Sequence, residues 1–479
     1  MTQTMTEDDL AYAGVRRQAE LIATGELTSA ELVDLSLRRI HAAQPVLGAF
    51  ACIRDESARE EAAAADARRE AGDTAPLLGV PIAVKDDVDV AGHPTQFGCD
   101  GTFDAKTEDS EIVRRLRDAG AIIVGKTTSP ELGQWPVTEG PWFAPTRNPW
   151  HLDHTPGGSS GGAAAAVAAG LVPGAIGSDG AGSVRIPAAW TGLVGVKPQR
   201  GRLSTWPDPE AFNGLTCFGP LTRTVGDAAL MLDALGGNHP GDLHAPPAPP
   251  VPYTQAAATP PRRLRIALSF RQPFALVPKV RDDEVVDHIR ATATLLRDLG
   301  HEVVEREPDY GLIGVSFVPR STVALREWAT RLPDTSLLDA RTKEHLILGR
   351  ILAGPGLAAG RGLEHVFRRR IGRIFRDADV VLAPTTALPP LPIGALDDLS
   401  PWETHKLVVG SCPYAWAWNV LGWPGVSVPA GHTSAGLPIG AQLLGPGNSE
   451  PLLLALAGEL EQAACWDERR PEAWRAAAG

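Results

Sequence analysis

Residues 155–187 read TPGGSSGGAAAAVAAGLVPGAIGSDGAGSVRIP and hold two glycine-framed serines, Ser159 and Ser183, with a run of small residues between them. Upstream, the apolar segment GVPIAVKDD carries Lys85 near its end. A serine hydroxyl is a weak nucleophile until a base takes its proton, and lysine is that base in Ser-Lys enzymes. The two serines and the lysine therefore predict hydrolysis of an acyl compound without histidine or metal.

The segment around the second serine, GSDGAGSVRIP, has the composition of a ligand-binding loop. Glycine adopts positive φ and lets the backbone approach a ligand closely. Such a turn can point successive N–H groups into one concavity. An oxyanion hole built this way stabilises a tetrahedral intermediate by ~3–4 kcal/mol per donor. The alternative interpretation is a tight turn between strands, capped by Ser183.

Two environments are open for Lys85. The side chain can extend to the surface while its methylenes cover apolar neighbours. If it is buried instead, its pKa falls and it can act as a neutral base. Asp86 and Asp87 follow it and would favour the charged form, unless they point away along the alternating strand.

Ser159 has a competing interpretation, because GGSSGG matches the G-x-S-x-G pattern of the nucleophile elbow of α/β-hydrolases. That elbow follows a strand directly, whereas the preceding APTRNPWHLDHTP has no strand pattern. It also needs a later acid and histidine, and no local context selects His301 or His432. A plain glycine-serine loop is the other alternative.

Strand and helix patterns alternate along the chain. Residues 8–72 read as helices, and the helix pattern SEIVRRLRDAG precedes the strand pattern AIIVGKT. This alternation is typical of an α/β fold. A Pro-rich stretch at 236–261 predicts an irregular linker, and the later strands read as extensions of the same sheet. We therefore expect one domain over 1–479, with the linker on its surface and a C-terminal sheet extension at 262–465.

Composition excludes several function classes. The net charge of −12 opposes non-specific binding to nucleic acid or anionic lipid. The five cysteines form no CxxC pair or zinc-ligand pattern, which fits a reducing cytoplasm and predicts no metal site. The N-terminus has no secretory h-region, and no stretch approaches the ~20 apolar residues of a membrane span. A cytoplasmic protein with no membrane or nucleic-acid partner is expected.

Several segments together resemble the amidase signature family. They cover residues 26–465 with gaps, and the glycine-framed serines stand 24 residues apart downstream of a lysine in a strand pattern. The segments that carry the resemblance are PLLGVPIAVKDD, the stretch from PGGSSGG to PQRGRLS, FGPLTRTVGDAAL, ADVVLAPTT, WNVLGWPGVSVPAG and GLPIGAQLLGP.

The resemblance implies a central mixed β-sheet covered by helices on both faces, with a signature core at 77–230. It also implies an amidase that cleaves a carboxamide to a carboxylate and ammonia or an amine, without a cofactor. By position, Lys85 would be the base, Ser159 a relay serine after a cis peptide bond, and Ser183 the nucleophile. The remaining implied roles fall on the oxyanion-hole amides of Gly180, Ala181, Gly182 and Ser183, and on the supporting side chains Ser160, Asp179 and Arg185.

One position departs from the family pattern. Ala181 stands where the family usually has a glycine, and alanine tolerates positive φ poorly. We therefore expect either a slightly different loop or a position that does not need positive φ.

Other functions stay open at this point. The same residues could cleave esters or carbamates, or release ammonia from glutamine within an amidotransferase, although the segment LGRILAGPGLAAGRGLEHVFRRRIGRIF is not typical of the amidotransferase protein. A non-catalytic anion-binding protein is a third alternative, and a homodimer is compatible with the sequence. The candidate pocket tryptophans are Trp135, Trp142, Trp190, Trp206, Trp416 and Trp418.

Overall fold

The computed structural model describes residues 5–478 and assembles their strands into one eleven-stranded sheet. Its spatial order is β1-β3-β2-β4-β6-β5-β10-β11-β9-β7-β8. The strands are β1 Phe50–Ile53, β2 Pro81–Lys85, β3 Ile122–Thr127, β4 Gly174–Asp179, β5 Val194–Lys197, β6 Cys217–Thr222, β7 Arg265–Leu268, β8 Glu302–Glu305, β9 Val380–Pro384, β10 Gly425–His432 and β11 Pro438–Leu444.

Helices fill most of the connections. They are α1 Glu7–Ala11, α2 Gly14–Thr24, α3 Ser29–Leu47, α4 Asp55–Glu70, α5 Glu111–Asp118, α6 Gly161–Ala168, α7 Arg185–Thr191, α8 Val225–Leu235, α9 Tyr253–Ala257, α10 Asp283–Asp298, α11 Gly314–Ala329, α12 Ala340–Leu352, α13 Pro355–Gly362, α14 Glu364–Ile371, α15 Pro401–Ser411, α16 Trp416–Leu421, α17 Glu450–Ala464 and α18 Ala473–Ala478. Within residues 5–478, none of them has both the length and the apolar character of a membrane span.

The sheet is mixed. Strand β2 runs parallel to both of its neighbours, β3 and β4, and β7 runs parallel to β8 and β9. The remaining neighbours, from β4 through β6, β5, β10 and β11 to β9, pair antiparallel, as does β1 with β3. The expectation of a single large α/β domain with a central mixed sheet is confirmed.

Two hydrophobic cores lie on opposite faces of this sheet. Because successive side chains of a strand point to opposite faces, Ile82 and Val84 of β2 join the core that includes α8 and α17, and Ala83 joins the core that includes α3 and α6. Lys85 is two residues beyond Ala83 and therefore faces the α6 side. Helices on both faces thus bury β2, β3 and β4 completely.

Two local elements differ from the sequence-based expectation. Strand β1 lies inside the segment predicted to be helical and pairs with β3 at the edge of the sheet. Helix α9 lies inside the predicted irregular linker, because Tyr253, Ala256 and Ala257 are buried against α8 and α17. In both places contacts with distant segments override the local composition.

Candidate active site

The predicted catalytic residues converge at one edge of the sheet. Strands β2 and β4 are parallel neighbours, so their carboxyl ends lie together, where ligands bind in α/β sheets. Lys85 ends β2, and Ser178 and Asp179 end β4. Ser159 lies just before α6, which packs on the same face of these strands.

Lys85 is fully buried, so it does not extend to the surface. Its Nζ lies 2.7 Å from Ser159 Oγ and 2.8 Å from Ser178 Oγ. The carboxylate of Asp87, also buried, lies 3.2 Å away. Burial lowers the pKa of Lys85, and the Asp87 carboxylate is the largest influence in the opposite direction. The geometry therefore allows a neutral amine, the form that accepts a proton.

The two aspartates after Lys85 behave differently. Asp86 points away, as strand alternation allows, and pairs with Lys126 of β3 at 2.9 Å. Asp87 turns back to Lys85 and accepts a hydrogen bond from Ser178 Oγ. Sequence reasoning assigned no role to Asp87 or Ser178. Their position at the ends of adjacent parallel strands is the signal that could have identified them.

Ser159 follows a cis peptide bond with Gly158, and no strand precedes it. The arrangement is therefore not that of a nucleophile elbow. Gly133 lies directly against the Lys85–Ser159 pair with φ of +64°. A Cβ there would lie 3.4 Å from Ser159 Oγ and 3.5 Å from Lys85 Nζ, so residue 133 forms part of the cover over the pair.

Ser183 lines a cavity of about 290 Å³ together with Lys85 and Ser159. Its exposed fraction is 9%, against 1% for Ser159, so Ser183 is the more accessible serine. The hydrogen bonds of residues 5–478 do not include one between these two serines. Catalytic hydrogen bonds often tighten only when substrate binds.

The carboxylate of Asp179 organises the loop at 180–183. It accepts hydrogen bonds from the N–H of Gly182 at 2.8 Å and, at 3.0 Å, from the Arg185 guanidinium. The amide of Gly182 is thus directed at Asp179, which contradicts its predicted place in an oxyanion hole. The amides of Gly180, Ala181 and Ser183 remain as candidates.

The departure at Ala181 has a simple structural explanation. Among residues 5–478, the non-glycine residues with positive φ do not include Ala181, and the positive φ of the loop, +117°, falls on Gly182. A Cβ on Gly182 would also lie 2.6 Å from Ala415 Cβ. Glycine is required at 182, and alanine fits at 181.

Buried polar contacts hold this loop in place. Although burial raises the pKa of Asp179, the Arg185 guanidinium holds it well below the ordinary value. Asn419 of α16 donates to both the backbone oxygen and the carboxylate of Asp179, at 2.7 and 2.8 Å. Ser160 donates its N–H to the backbone oxygen of Ser183 at 3.1 Å. Ser160, Asp179 and Arg185 therefore all contact the loop, and Asn419 is a contact that the sequence did not reveal.

The rest of the cavity is mostly apolar and is built by α11, α12, α15 and α16. Of the six candidate tryptophans, Trp135 and Trp416 line it. Trp328 of α11 lines it as well and was missed. The other apolar lining residues include Leu132, Ile186, Phe212, Phe317, Val318, Leu325, Leu348, Val408 and Val409.

Comparisons with known proteins show the family of this chain. The model of the Amidase family matches residues 31–454. The proposed amidase AmiA2 of Mycobacterium tuberculosis is 56% identical over 454 residues, covering 95% of this chain and 93% of AmiA2. Among solved structures, 6-aminohexanoate cyclic dimer hydrolase in complex with its substrate superposes with a TM-score of 0.89 at 31% identity, covering 97% and 99% of the two chains. A bacterial aryl acylamidase gives 0.83 at 27% identity, covering 97% and 98%.

The amidotransferase alternative gains no advantage from these comparisons. A glutamyl-tRNA(Gln) amidotransferase protein of Roseiflexus sp. is 36% identical, covering 95% of this chain and 96% of its own length, and is more distant than AmiA2. The family match, the AmiA2 likeness and the two structures all concern amide-bond enzymes. The chain therefore belongs to the amidase signature family and is a hydrolase that acts on amide bonds.

Proposed function

We propose that Ser183 is the nucleophile of this amidase and that Lys85, acting through Ser159, is its base. One observation carries the proposal: the fully buried Lys85 amine lies 2.7 Å from Ser159 Oγ at the floor of the cavity that Ser183 also lines. A serine needs such a base to become a nucleophile.

The proposed acylation moves one proton around the site. Neutral Lys85 takes the Ser159 proton while Ser159 takes that of Ser183, and Ser183 Oγ bonds to the amide carbon. The oxyanion is held by the amides of Gly180, Ala181 and Ser183, each worth ~3–4 kcal/mol where well aligned. The relay then returns the proton to the leaving nitrogen, the C–N bond breaks, and an acyl-enzyme forms.

Deacylation uses the same groups in the same order. Water replaces the amine in the cavity and gives its proton to the relay as it attacks the ester carbon. The carboxylic acid leaves when Ser183 Oγ recovers a proton from Ser159. The enzyme returns to its starting state with no cofactor or metal taking part in these steps.

The substrate class follows from the cavity walls. Phe212 and Trp328 meet edge to face with ring centroids 4.8 Å apart, and Phe317 and Trp416 lie 5.0 Å apart. Apolar and aromatic walls favour an apolar or aryl group beside the scissile amide. The similar structures support this choice, since one acts on a cyclic dimer of 6-aminohexanoate and the other on aryl acylamides.

The test of the nucleophile is covalent labelling. We expect a fluorophosphonate probe to form one adduct on Ser183, mapped by peptide mass spectrometry, and to lose it in Ser183→Ala. In the Lys85→Met variant, the probe should react with Ser183 far more slowly, because the proposed base has been removed. Ser204→Ala is a matched control, since Ser204 is a buried serine outside the cavity. An adduct on Ser159 would overturn the assignment of the two serines.

A further inference from the structure

The cavity has a second polar region, away from the serines, that the proposed mechanism does not use. His345 of α12 and His405 of α15 line it, together with Arg341 and Glu344. Of the two histidines, the hydrogen bonds of residues 5–478 involve the ring of His345 but not that of His405.

A chain of hydrogen bonds sets the tautomer of His345. The Gln134 side-chain amide donates to the Thr342 hydroxyl oxygen. Gln134 Oε1 is then the atom that faces His345 Nδ1, at 2.8 Å. An oxygen accepts, so Nδ1 carries the hydrogen and Nε2 of the neutral ring keeps its lone pair.

The Nε2 atom is free to meet a ligand. The hydrogen bonds within residues 5–478 give His345 Nε2 no protein partner, and the ring packs on Trp135 with centroids 5.6 Å apart. Burial is the first cause that lowers the pKa of His345, and the neighbouring His405 lowers it further, against the raising effect of Glu344. A neutral ring at this place accepts a hydrogen bond and does not repel a cation.

The charges around His345 also favour a ligand group that donates a hydrogen bond. The Arg341 guanidinium is bound through two of its nitrogens to the Asp339 carboxylate, at 3.0 and 3.2 Å, which offsets its charge. Glu344 is exposed, and the ion pairs within the described part of the chain do not include it. One carboxylate therefore stands beside the imidazole acceptor at this end of the cavity.

One short segment connects this region to the serines. Gly133 lies against Ser159 and Lys85, Gln134 holds His345, and Trp135 packs on it. Because successive Cα atoms are about 3.8 Å apart, His345 lies on the order of 10 Å from the reacting groups. Apolar side chains form most of the lining of the cavity that both regions share.

We propose that His345 is a specificity-determining residue and that this amidase prefers bifunctional substrates, in which an apolar spacer joins the scissile amide to a distal N–H donor. The proposal rests on the proposed function, because it takes Ser183 and Lys85 as the reacting end. The donor is either an ammonium group or the N–H of a second amide. Glu344 would assist only the ammonium.

The experiment compares three anilides that differ only at the far end of the same alkanoyl chain: ammonium, acetamido and methyl. The readout is the ratio of kcat/KM for each N–H substrate to that of the methyl substrate, so a general loss of activity cancels. We expect the wild type to prefer both N–H substrates by about tenfold. His345→Leu should bring both ratios to about one. Glu344→Gln should lower only the ammonium ratio.

His365→Leu is the matched control, since this histidine is exposed on α14 and outside the cavity; its ratios should equal those of the wild type. An acetamido ratio near one in the wild type, or a ratio that survives in His345→Leu, would overturn the proposal. The proposed function fails separately, if Ser183→Ala still cleaves the methyl substrate.

Discussion

Lys85 and Lys126 lie on the adjacent parallel strands β2 and β3, and both are completely buried beside an aspartate. Around Lys126 lie the carboxylate of Asp86 at 2.9 Å, the hydroxyl of Thr95 at 2.8 Å and the backbone oxygen of Pro94. Around Lys85 lie the carboxylate of Asp87 and the hydroxyls of Ser159 and Ser178. The surroundings of the two lysines differ in one hydrogen-bond acceptor, the backbone oxygen of Pro94 beside Lys126, and in access to the cavity.

That difference separates a structural lysine from a candidate base. All three partners of Lys126 accept hydrogen bonds from its amine, because the Thr95 hydroxyl already donates its own hydrogen to Asp89. At Lys85 the Ser178 hydroxyl donates to Asp87 and therefore accepts from the amine, whereas the Ser159 hydroxyl can either donate or accept. Lys85 lines the cavity, whereas Lys126 is not among its lining residues. Burial alone does not make a lysine a candidate base; it also needs a partner that can either donate or accept, as Ser159 can, and contact with the cavity.

The largest expected effect is on activity. Lys85→Met should lower kcat/KM on an aryl amide by ~10⁴-fold, since the relay loses its base. Lys126→Met should stay within about tenfold of the wild type, because it contacts no reacting group. Steady-state kinetics of both purified variants test this. Similar losses in the two would mean that the comparison is wrong.

The same two substitutions should affect stability in the opposite order. Lys126→Met leaves the buried Asp86 carboxylate without its partner, so the free energy of unfolding should fall by about 3–5 kcal/mol. Lys85→Met should cost less, ~1–3 kcal/mol, because the Asp87 carboxylate that it leaves without an amine keeps the hydrogen bond from Ser178. Urea unfolding provides the measurement. The control Lys279→Met, on the surface, should stay within about 0.5 kcal/mol of the wild type.

The pH dependence of kcat/KM should report Lys85. In the proposed mechanism the neutral amine is the active form, so activity should rise with pH, with a midpoint below the ordinary value for lysine because burial lowers the pKa of Lys85. The Asp87 carboxylate opposes that lowering. Asp87→Asn should therefore move the rising limb to lower pH by about one unit.

The stability linkage of Lys85 has the same sign. Between its lowered folded pKa and the unfolded value, the unfolded chain binds more protons, so this residue makes stability rise with pH in that window. If the rising limb of the pH profile of kcat/KM does not move in Asp87→Asn, then Lys85 is not the group whose titration that profile reports.

The smallest expected effects come from the hydroxyls beside the two lysines. Ser178→Ala removes a hydrogen bond from Lys85 and from Asp87 and should lower kcat/KM by about tenfold. Thr95→Val removes one from Lys126 and should cost ~1–3 kcal/mol of stability while activity stays near the wild-type value. Steady-state kinetics and urea unfolding of both variants test this. Ser178→Ala should mainly lower kcat/KM, and Thr95→Val should mainly lower the free energy of unfolding.

The fold class was predictable because strand and helix patterns alternate, and because the motifs that carry the family resemblance are contiguous segments. The secondary-structure predictions were wrong where the local sequence pattern favours one structure and contacts with distant segments impose another. Strand β1 has few residues and exists because β3 offers it an edge. Helix α9 lies between prolines and forms because Tyr253 packs against α8 and α17. Neither contact is encoded in the local sequence.

For the site, the residue types were predictable and their couplings were not. Lys85, Ser159 and Ser183 stand in recognisable glycine-rich or strand contexts. The contact of Lys85 with Asp87 depends on which way the chain turns after β2. The use of the Gly182 amide by Asp179 depends on a loop conformation that Arg185 and Asn419 help to hold.

The sequence by itself determined the family, the α/β class and the two serines and lysine of the candidate site, because each depends on residues close together along the chain. Only the tertiary structure decided that Lys85 is buried beside a serine that can donate or accept, that the loop at 180–183 accepts an alanine, and that His345 lines the same cavity. Those properties require segments more than 70 residues apart to meet, and the hydrophobic packing of helices on both faces of one sheet brings them together.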